Sequence, residues 1–332
     1  GLVVGLLPSW GNYWKTTEDN LFNVENALQY GQYLSNRYRN KPIIWILGGD
    51  AFVENEEEEA ILHALARGLR AGQATKQLIT FHPRGPGRSS DVFHEAEWLD
   101  VNMFHSSHAG RGFDNGLFVT HDRQLTPPKP TLDGEPRYEN LVVGFYYRGN
   151  NRMDKFTDDD TRTAAYQSLL AGACGHAYGN NNIWQIWVPG EENYIGARIP
   201  WYEAMDHPGA FDMTRIRRLF ESRPFHLLRP AQDMLVDAPR QGPDKVRAAL
   251  ASDGSFAFVY SPTGQPFTLD TDLFAETLIS AYWYNPRYGS AFLFQEGTSQ
   301  AIKTYHPPTN GHGHDWVLVL DVKRKNYGIP GQ

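Results

Sequence analysis

The sequence predicts an α/β fold, a (β/α)8 TIM barrel over residues 1–224, followed by a small all-β sandwich over 225–332. Three observations carry that expectation. Through the first two-thirds of the chain, short apolar runs ending in Gly, Pro, Asp or His alternate with amphipathic helical stretches, the rhythm of parallel βα units. Most of these runs are continuously apolar, as strands buried on both faces must be. From about Arg223 the rhythm gives way to short strands separated by turn signals such as Asp253-Gly254 and Thr263-Gly264.

In chain order, the candidate strands of the first part are 2–7, 43–47, 77–81, 101–105, 130–132 and 173–178. The helix predicted over 23–39 follows the first, and the helix over 56–70 presents Ile61, Leu62, Leu65 and Leu69 on one face. Its opening run, Glu56 to Glu59, suits the positive end of the helix dipole better than a metal, because consecutive helical side chains diverge. Asp158 to Asp160 open a helix over 161–170 whose Tyr166, Leu169 and Leu170 point inward. Six strand-helix units can be counted where a closed barrel needs eight, so two are expected to be absent at the front. An open doubly wound sheet is the alternative, although neither Gly48-Gly49 nor the Gly85-Pro86-Gly87 loop has the spacing of a phosphate-binding turn. After a helix over 213–222, the boundary falls near 224–230. The sandwich strands are then expected at 246–251, 255–260, 278–284, 291–294 and 316–322.

Composition narrows the function classes. The 332 residues are 41% hydrophobic and 21% charged with a net charge of -7, and no Lys/Arg cluster is present to displace phosphate counterions, which argues against a nucleic-acid partner. Aromatic residues make up 13%, with 9 Trp and 17 Tyr, rings that can stack on sugar faces as well as fill a core. The single Cys174 excludes an internal disulfide and reads as a small buried thiol. No stretch approaches the roughly 20 apolar residues of a membrane span.

In a parallel barrel the carboxyl ends of the strands converge on one mouth, so titratable groups there are the candidates for chemistry. Asp50 follows Ile43-Ile44-Trp45-Ile46-Leu47-Gly48-Gly49, where paired glycines let a substrate approach the backbone. Glu135 lies in Leu132-Asp133-Gly134-Glu135-Pro136-Arg137, three strands later, at strand positions four and seven of the count. Two carboxylates across one mouth are what glycosidic cleavage needs, one to protonate the leaving oxygen and one to attack the sugar or activate water. A helix cap or an arginine pair would place a carboxylate in the same way. Asp133 shares a strand face with Glu135 by period two and reads as a supporting group that orients Arg137 or a sugar hydroxyl.

His82, His105, His108 and His176 also fall at strand ends, and Arg84 follows His82 closely. No His-x-x-x-His pair or Cys ligand supports zinc, so these histidines read as hydrogen-bond partners for sugar hydroxyls or for the carboxylates. His312 and His314 read as a solvated turn. Trp10, Trp14, Trp184 and Trp187 are sugar platforms or core filler. No Gly-x-Ser-x-Gly elbow supports a serine hydrolase, whereas a non-catalytic carbohydrate-binding protein fits the same composition.

Several motifs in order, 5–11, 23–27, 43–50, 79–85, 132–138 and 170–179, resemble the apiosidase-like catalytic domain represented by glycoside hydrolase family 140, and the C-terminal part resembles the β-sandwich with a collagen-binding label found beside it. That resemblance implies a retaining enzyme, secreted or periplasmic, acting on plant pectin, with apiose in rhamnogalacturonan-II side chains as the substrate type. It implies that Asp50, after the Gly-Gly pair, is the acid/base and that Glu135, in Asp-Gly-Glu-Pro, is the nucleophile. No metal or organic cofactor is implied. The rivals are an endo-glucanase-like or arabinofuranosidase-like retaining glycosidase on the same scaffold. Trp10, His82, Arg84, His105, His108, Asp133, Arg137, His176 and Trp184 are the candidate substrate-binding residues.

Overall fold

The computed structural model describes residues 2–17, 20–239, 241–242 and 244–332. The chain divides into two compact units, Gly1–Ser107 with Thr120–Glu135, and His108–Val119 with Pro136–Gln332.

In the first unit, β1 (Val4–Leu6), β2 (Ile43–Ala51) and β3 (Ile79–Pro83) form a parallel sheet, with Val4 opposite Ile43 and Trp45 opposite Ile79. The two-residue β4 (Gly87–Arg88) pairs antiparallel with β5 (Asn102–His105), which runs parallel to β6 (Thr131–Glu135). β3 is tied to the lead-in of β5 by the Asp100 amide on the Ile79 carbonyl at 2.9 Å and by Thr80 Oγ1 on the Val101 carbonyl at 2.7 Å. The parallel strands β2, β3, β5 and β6 therefore present their carboxyl ends together.

The helix Val24–Arg37 starts where Asn23 and Asn26 cap each other reciprocally, and it lies against the helix Glu56–Ala71. Glycines allow that approach: a Cβ at Gly31 would sit 2.5 Å from the Leu65 carbonyl oxygen, and one at Gly68 would sit 2.3 Å from that of Leu28. The core beneath holds Trp14, Trp45, Leu47, Leu62, Leu65, Phe81 and Phe93, all buried. Trp14 is thus core and not a sugar platform, because its ring is enclosed and its indole is used internally. Glu58 stands in the first turn of the helix Glu56–Ala71, as the dipole reading expects, and has a second role there. It is buried, and it accepts from the Glu54 amide at 2.8 Å, the Thr16 amide at 3.1 Å and Lys15 Nζ at 2.9 Å, joining two loops. Burial alone would raise its proton affinity, but these donors outweigh it and hold the carboxyl below its usual range.

Among the described residues, the second unit contains the short β7 (Gly175–His176) and nine further strands: β8 (Leu228–Pro230), β9 (Leu235–Asp237), β10 (Arg247–Ala251), β11 (Phe256–Ser261), β12 (Phe267–Asp270), β13 (Leu278–Asn285), β14 (Ser290–Thr298), β15 (Ile302–Tyr305) and β16 (Trp316–Val322). A six-stranded sheet has the order β14-β13-β16-β11-β10-β8, and a three-stranded sheet has the order β15-β12-β9, with antiparallel pairing throughout. Period-two alternation splits the large sheet between two cores. Ala257, Val259, Trp283, Leu318 and Leu320 pack with Phe267, Leu269 and Tyr305 of the small sheet. Phe256, Phe258, Tyr260, Val317 and Val319 pack with Tyr166, Leu170, Ile216 and Leu219 of the helices Asp158–Leu170 and Pro208–Glu221. Each fully buried Val, Leu or Phe side chain among them contributes roughly 1.5–3 kcal/mol over its exposed state.

The expected strands are found with boundary shifts of up to four residues, at the carboxyl ends of β2 and β14, and β7 is two residues where the sequence predicts six. β8, β9, β12 and β15 were not anticipated, and each is only three or four residues long. Cys174 is exposed instead of buried, because it stands in the turn that Gly172, at φ +100°, makes after the helix Asp158–Leu170. His312 and His314 are exposed as expected, and His312 Nε2 stands 3.5 Å from Asp159.

Candidate active site

β2 ends unusually. Its backbone φ turns to +90° at Gly48, +101° at Gly49 and +47° at Asp50. Glycine is required at the first two positions, since a Cβ on Gly48 would lie 2.5 Å from the His82 carbonyl oxygen and one on Gly49 would lie 2.7 Å from the Trp10 ring. Aspartate is among the few other residues that tolerate the left-handed region, at a cost of order 1 kcal/mol. The pairing of β2 with β3 jumps from Gly48 opposite His82 to Ala51 opposite Pro83, so Gly49 and Asp50 are looped out of the ladder. The buried Trp14 indole anchors the loop by donating to the Gly48 carbonyl at 3.0 Å. As a result the Asp50 amide donates to Nδ1 of His82 at 3.2 Å.

The remaining groups stand at neighbouring strand ends: His82 on β3, His105 on β5 and Glu135 on β6. His82 Nε2 lies 2.7 Å from Glu135 Oε2. His105 Nδ1 lies 3.4 Å from Asp50 Oδ1 and 3.6 Å from Glu135 Oε2. Since one nitrogen touches both oxygens, the gap between those oxygens cannot exceed about 7 Å. A bound on one oxygen pair admits the carboxyl separation of a retaining pair, about 5–5.5 Å, and also separations within the inverting range of about 6.5–9.5 Å. The Asp50 side chain is 42% exposed and that of Glu135 13%, so one is open to water and the other is sheltered. The His82 and His105 rings meet edge to face at 5.8 Å, and Trp10, half-exposed, tilts toward His82 at 6.1 Å. Gly85 lies flat on His105, where a Cβ would come within 2.6 Å of the ring.

Asp133 does not simply share the Glu135 face. Phe104 pairs with Asp133 and His105 with Glu135, so Gly134 is an extra residue that breaks the period-two alternation. Asp133 is fully buried and accepts from Ser106 Oγ at 3.4 Å. Arg84 is exposed in the loop after β3.

His82, His105 and Glu135 carry ligand atoms all within 4.8 Å of one another, the footprint of a metal triad. The donor pattern at His82 does not fit a cation. A neutral imidazole whose Nδ1 accepts an amide proton carries its own proton on Nε2, and that proton faces Glu135. Neither nitrogen then has a lone pair to offer a metal.

His108, Arg137, His176 and Trp184 belong to the second unit. Arg137 is buried, donating to the Arg111 and Phe113 carbonyls and at 2.7 Å to Asn115 Oδ1. His108 is buried with its ring 4.8 Å from that of Tyr138. His176 is half-buried on β7. Trp184 is half-exposed, its indole donating to Asn181 Oδ1 at 3.1 Å. Reading the sequence missed the Asp50 amide and the glycine against His105. The only signals for these were the Gly-Gly pair and the Pro-Arg-Gly-Pro-Gly loop.

Comparison with known proteins adds to this geometry. The model for "Apiosidase-like, catalytic domain" matches residues 1–226, and that for "Putative collagen-binding domain of a collagenase" matches residues 229–321. Among solved structures, the chain is similar to a protein titled glycoside hydrolase, with 31% identity, 99% of this chain and 75% of that one covered, and a TM-score of 0.91. It is also similar to a protein from Bacteroides vulgatus ATCC 8482 titled glycoside hydrolase family 5, with 29% identity, 100% and 73% covered, and a TM-score of 0.91. A search of curated protein sequences returned no match.

Proposed function

The chain belongs to the apiosidase-like catalytic-domain family and is a glycoside hydrolase, and from that premise we propose that it works by retention, with Glu135 as nucleophile and Asp50 as general acid/base. The observation that carries the assignment is the single nitrogen of His105 within 3.6 Å of both carboxylates. Glu135 attacks the anomeric carbon as Asp50 protonates the departing glycosidic oxygen, giving a glycosyl ester. Asp50, now a carboxylate, takes a proton from water, which attacks the same carbon and frees Glu135. The sheltered Glu135 suits a nucleophile kept from competing water, and the more open Asp50 suits a group that must exchange protons with solvent. The strand ends belong, in this reading, to a (β/α)8 barrel over 1–224, followed by a β-sandwich over 225–332. The substrate in this reading is apiose-bearing plant pectin, met outside the cytoplasm; the apiosidase-like family description supports the sugar alone.

The test is a panel of apiosylated rhamnogalacturonan-II, arabinofuranosylated and β-glucan oligosaccharides, with the first-formed anomer followed by proton NMR. Retained configuration on the apiosylated member is expected. Retention on another member reassigns the substrate alone, inversion removes Glu135 as nucleophile, and binding with no release on any member favours a non-catalytic carbohydrate-binding protein. Asp50→Asn should lower turnover of unactivated glycosides by about 10²–10⁴-fold, and far less for a dinitrophenyl glycoside whose leaving group needs no proton.

A further inference from the structure

The looped-out turn of β2 does more than carry a carboxylate: its backbone reaches the group that holds the other one. We infer that the Asp50 amide fixes His82 as the Nε2–H tautomer, making His82 the positioning residue through which the acid/base turn orients the nucleophile Glu135. The inference rests on the proposed roles of those two carboxylates for its catalytic meaning, but its geometry stands apart from them.

The left-handed φ of +47° at Asp50, after two glycines of positive φ, aims the amide out of the ladder and at Nδ1 of His82, 3.2 Å away. A nitrogen that accepts an amide proton cannot carry one, so the ring proton is on Nε2. Nε2 lies 2.7 Å from Glu135 Oε2, the length of a strong charge-assisted hydrogen bond. The other tautomer would set two N–H groups against each other at Asp50 and leave the carboxylate facing a lone pair. The ring cannot easily turn, since it is buried, meets the His105 ring at 5.8 Å, and is faced by Trp10 at 6.1 Å. The Cβ that is missing at Gly48 is what lets the His82 carbonyl pack on the turn. One turn thus holds the acid/base side chain and, through an imidazole, sets the direction of a carboxylate on another strand.

Nitrogen-15 NMR of the whole chain with labelled histidine reads the tautomer without any substrate. His82, identified by the signals lost in His82→Gln, should show an unprotonated Nδ1 and a protonated Nε2 at neutral pH, with a coupling across the hydrogen bond from the Asp50 amide nitrogen to Nδ1. Added zinc chloride should leave both shifts unchanged. A protonated Nδ1, or loss of the Nε2 proton on zinc addition, overturns the inference whatever the enzyme's activity. On a substrate that the wild type cleaves, His82→Ala should lower kcat on the order of 10- to 100-fold with little change in KM. His82→Gln, which can still donate, should recover part of that loss. Equal losses in both variants at unchanged folding would also overturn it. If Glu135→Gln proves fully active while the tautomer is as stated, the functional assignment fails and the tautomer does not.

Discussion

Two clusters of carboxylates in this molecule look alike in a list of residues and behave as opposites. At the strand ends of the first unit, Asp50 and Glu135 meet imidazoles, on a backbone that leaves the β region, with one side chain open to water. In the second unit, Asp158, Asp159, Asp212 and Asp315 converge on Arg162, which is 1% exposed and bonds Asp315 at 2.8 Å and Asp212 at 2.6 Å. A guanidinium with its charge matched on several sides is fixed and cannot easily give up a proton. An imidazole leaves its carboxylate free to attack or to trade a proton. The proton affinities shifted around Arg162 make the same point. Burial, and then Asp315, push Asp159 up to about 6, and burial raises Asp212 against the pull of Arg162. Burial would lower the Arg162 affinity, but Asp315 and Asp212 outweigh it and raise it. Shifted titration commonly points to catalysis. Here it marks architecture, and in the proposed reading the strand-end geometry marks the chemistry.

This contrast is tested most strongly at its extremes. Glu135→Gln should reduce glycoside turnover to background while the stability read from urea unfolding falls by no more than about 1–2 kcal/mol, the loss expected when the hydrogen bond from His82 keeps an amide oxygen in place of a carboxylate. Unfolding well before the wild type would place Glu135 among the structural carboxylates. Arg162→Ala should do the reverse. It strands buried Asp212 and Asp315 without their partner, and stability should fall by about 3–5 kcal/mol, read from the urea midpoint. A stable Arg162→Ala protein that has lost turnover would erase the distinction.

The smallest effect is the dependence on pH. Asp159 titrates near 6 when folded and near 4 when unfolded, so its stabilising contribution is complete below about pH 4 and lost as pH rises through 6. The loss should be on the order of 1–3 kcal/mol, since burial and the neighbouring Asp315 act together. Asp159→Asn should flatten that part of the stability profile and gain most above pH 6, by thermal melts across pH 4–8. An unchanged slope would assign the pH dependence to another group.

How much of this was legible in the sequence follows the range of the interactions. The apolar run 43–47 closing on Gly-Gly-Asp, and the Asp-Gly-Glu-Pro motif, place Asp50 and Glu135 at strand ends, because strand and turn signals are local. The helices over 23–39 and 56–70 were legible for the same reason, although Asn23 is the cap of the first and not part of it. β9, β12 and β15 were not, since three or four residues carry no readable alternation and their pairing is set by distant strands. The Arg162–Asp315 pair spans 153 residues, and no pattern near either residue announces the other. Asp133 was misread for a different reason. One extra glycine in the strand shifts the register, and alternation from sequence assumes that none is there.

The six-stranded sheet has one more consequence, for anyone who would trim this protein. Its strands β11 and β16 are buried along their whole length because one side faces the small sheet and the other faces the helices Asp158–Leu170 and Pro208–Glu221. A truncation ending where the first family match ends would strip those helices of Phe256, Phe258, Tyr260 and Val319, leaving Tyr166, Leu170, Ile216 and Leu219 bare. Such a product should be sticky and poorly soluble, so the last hundred residues act as a wall of the catalytic part's own interior instead of a detachable accessory.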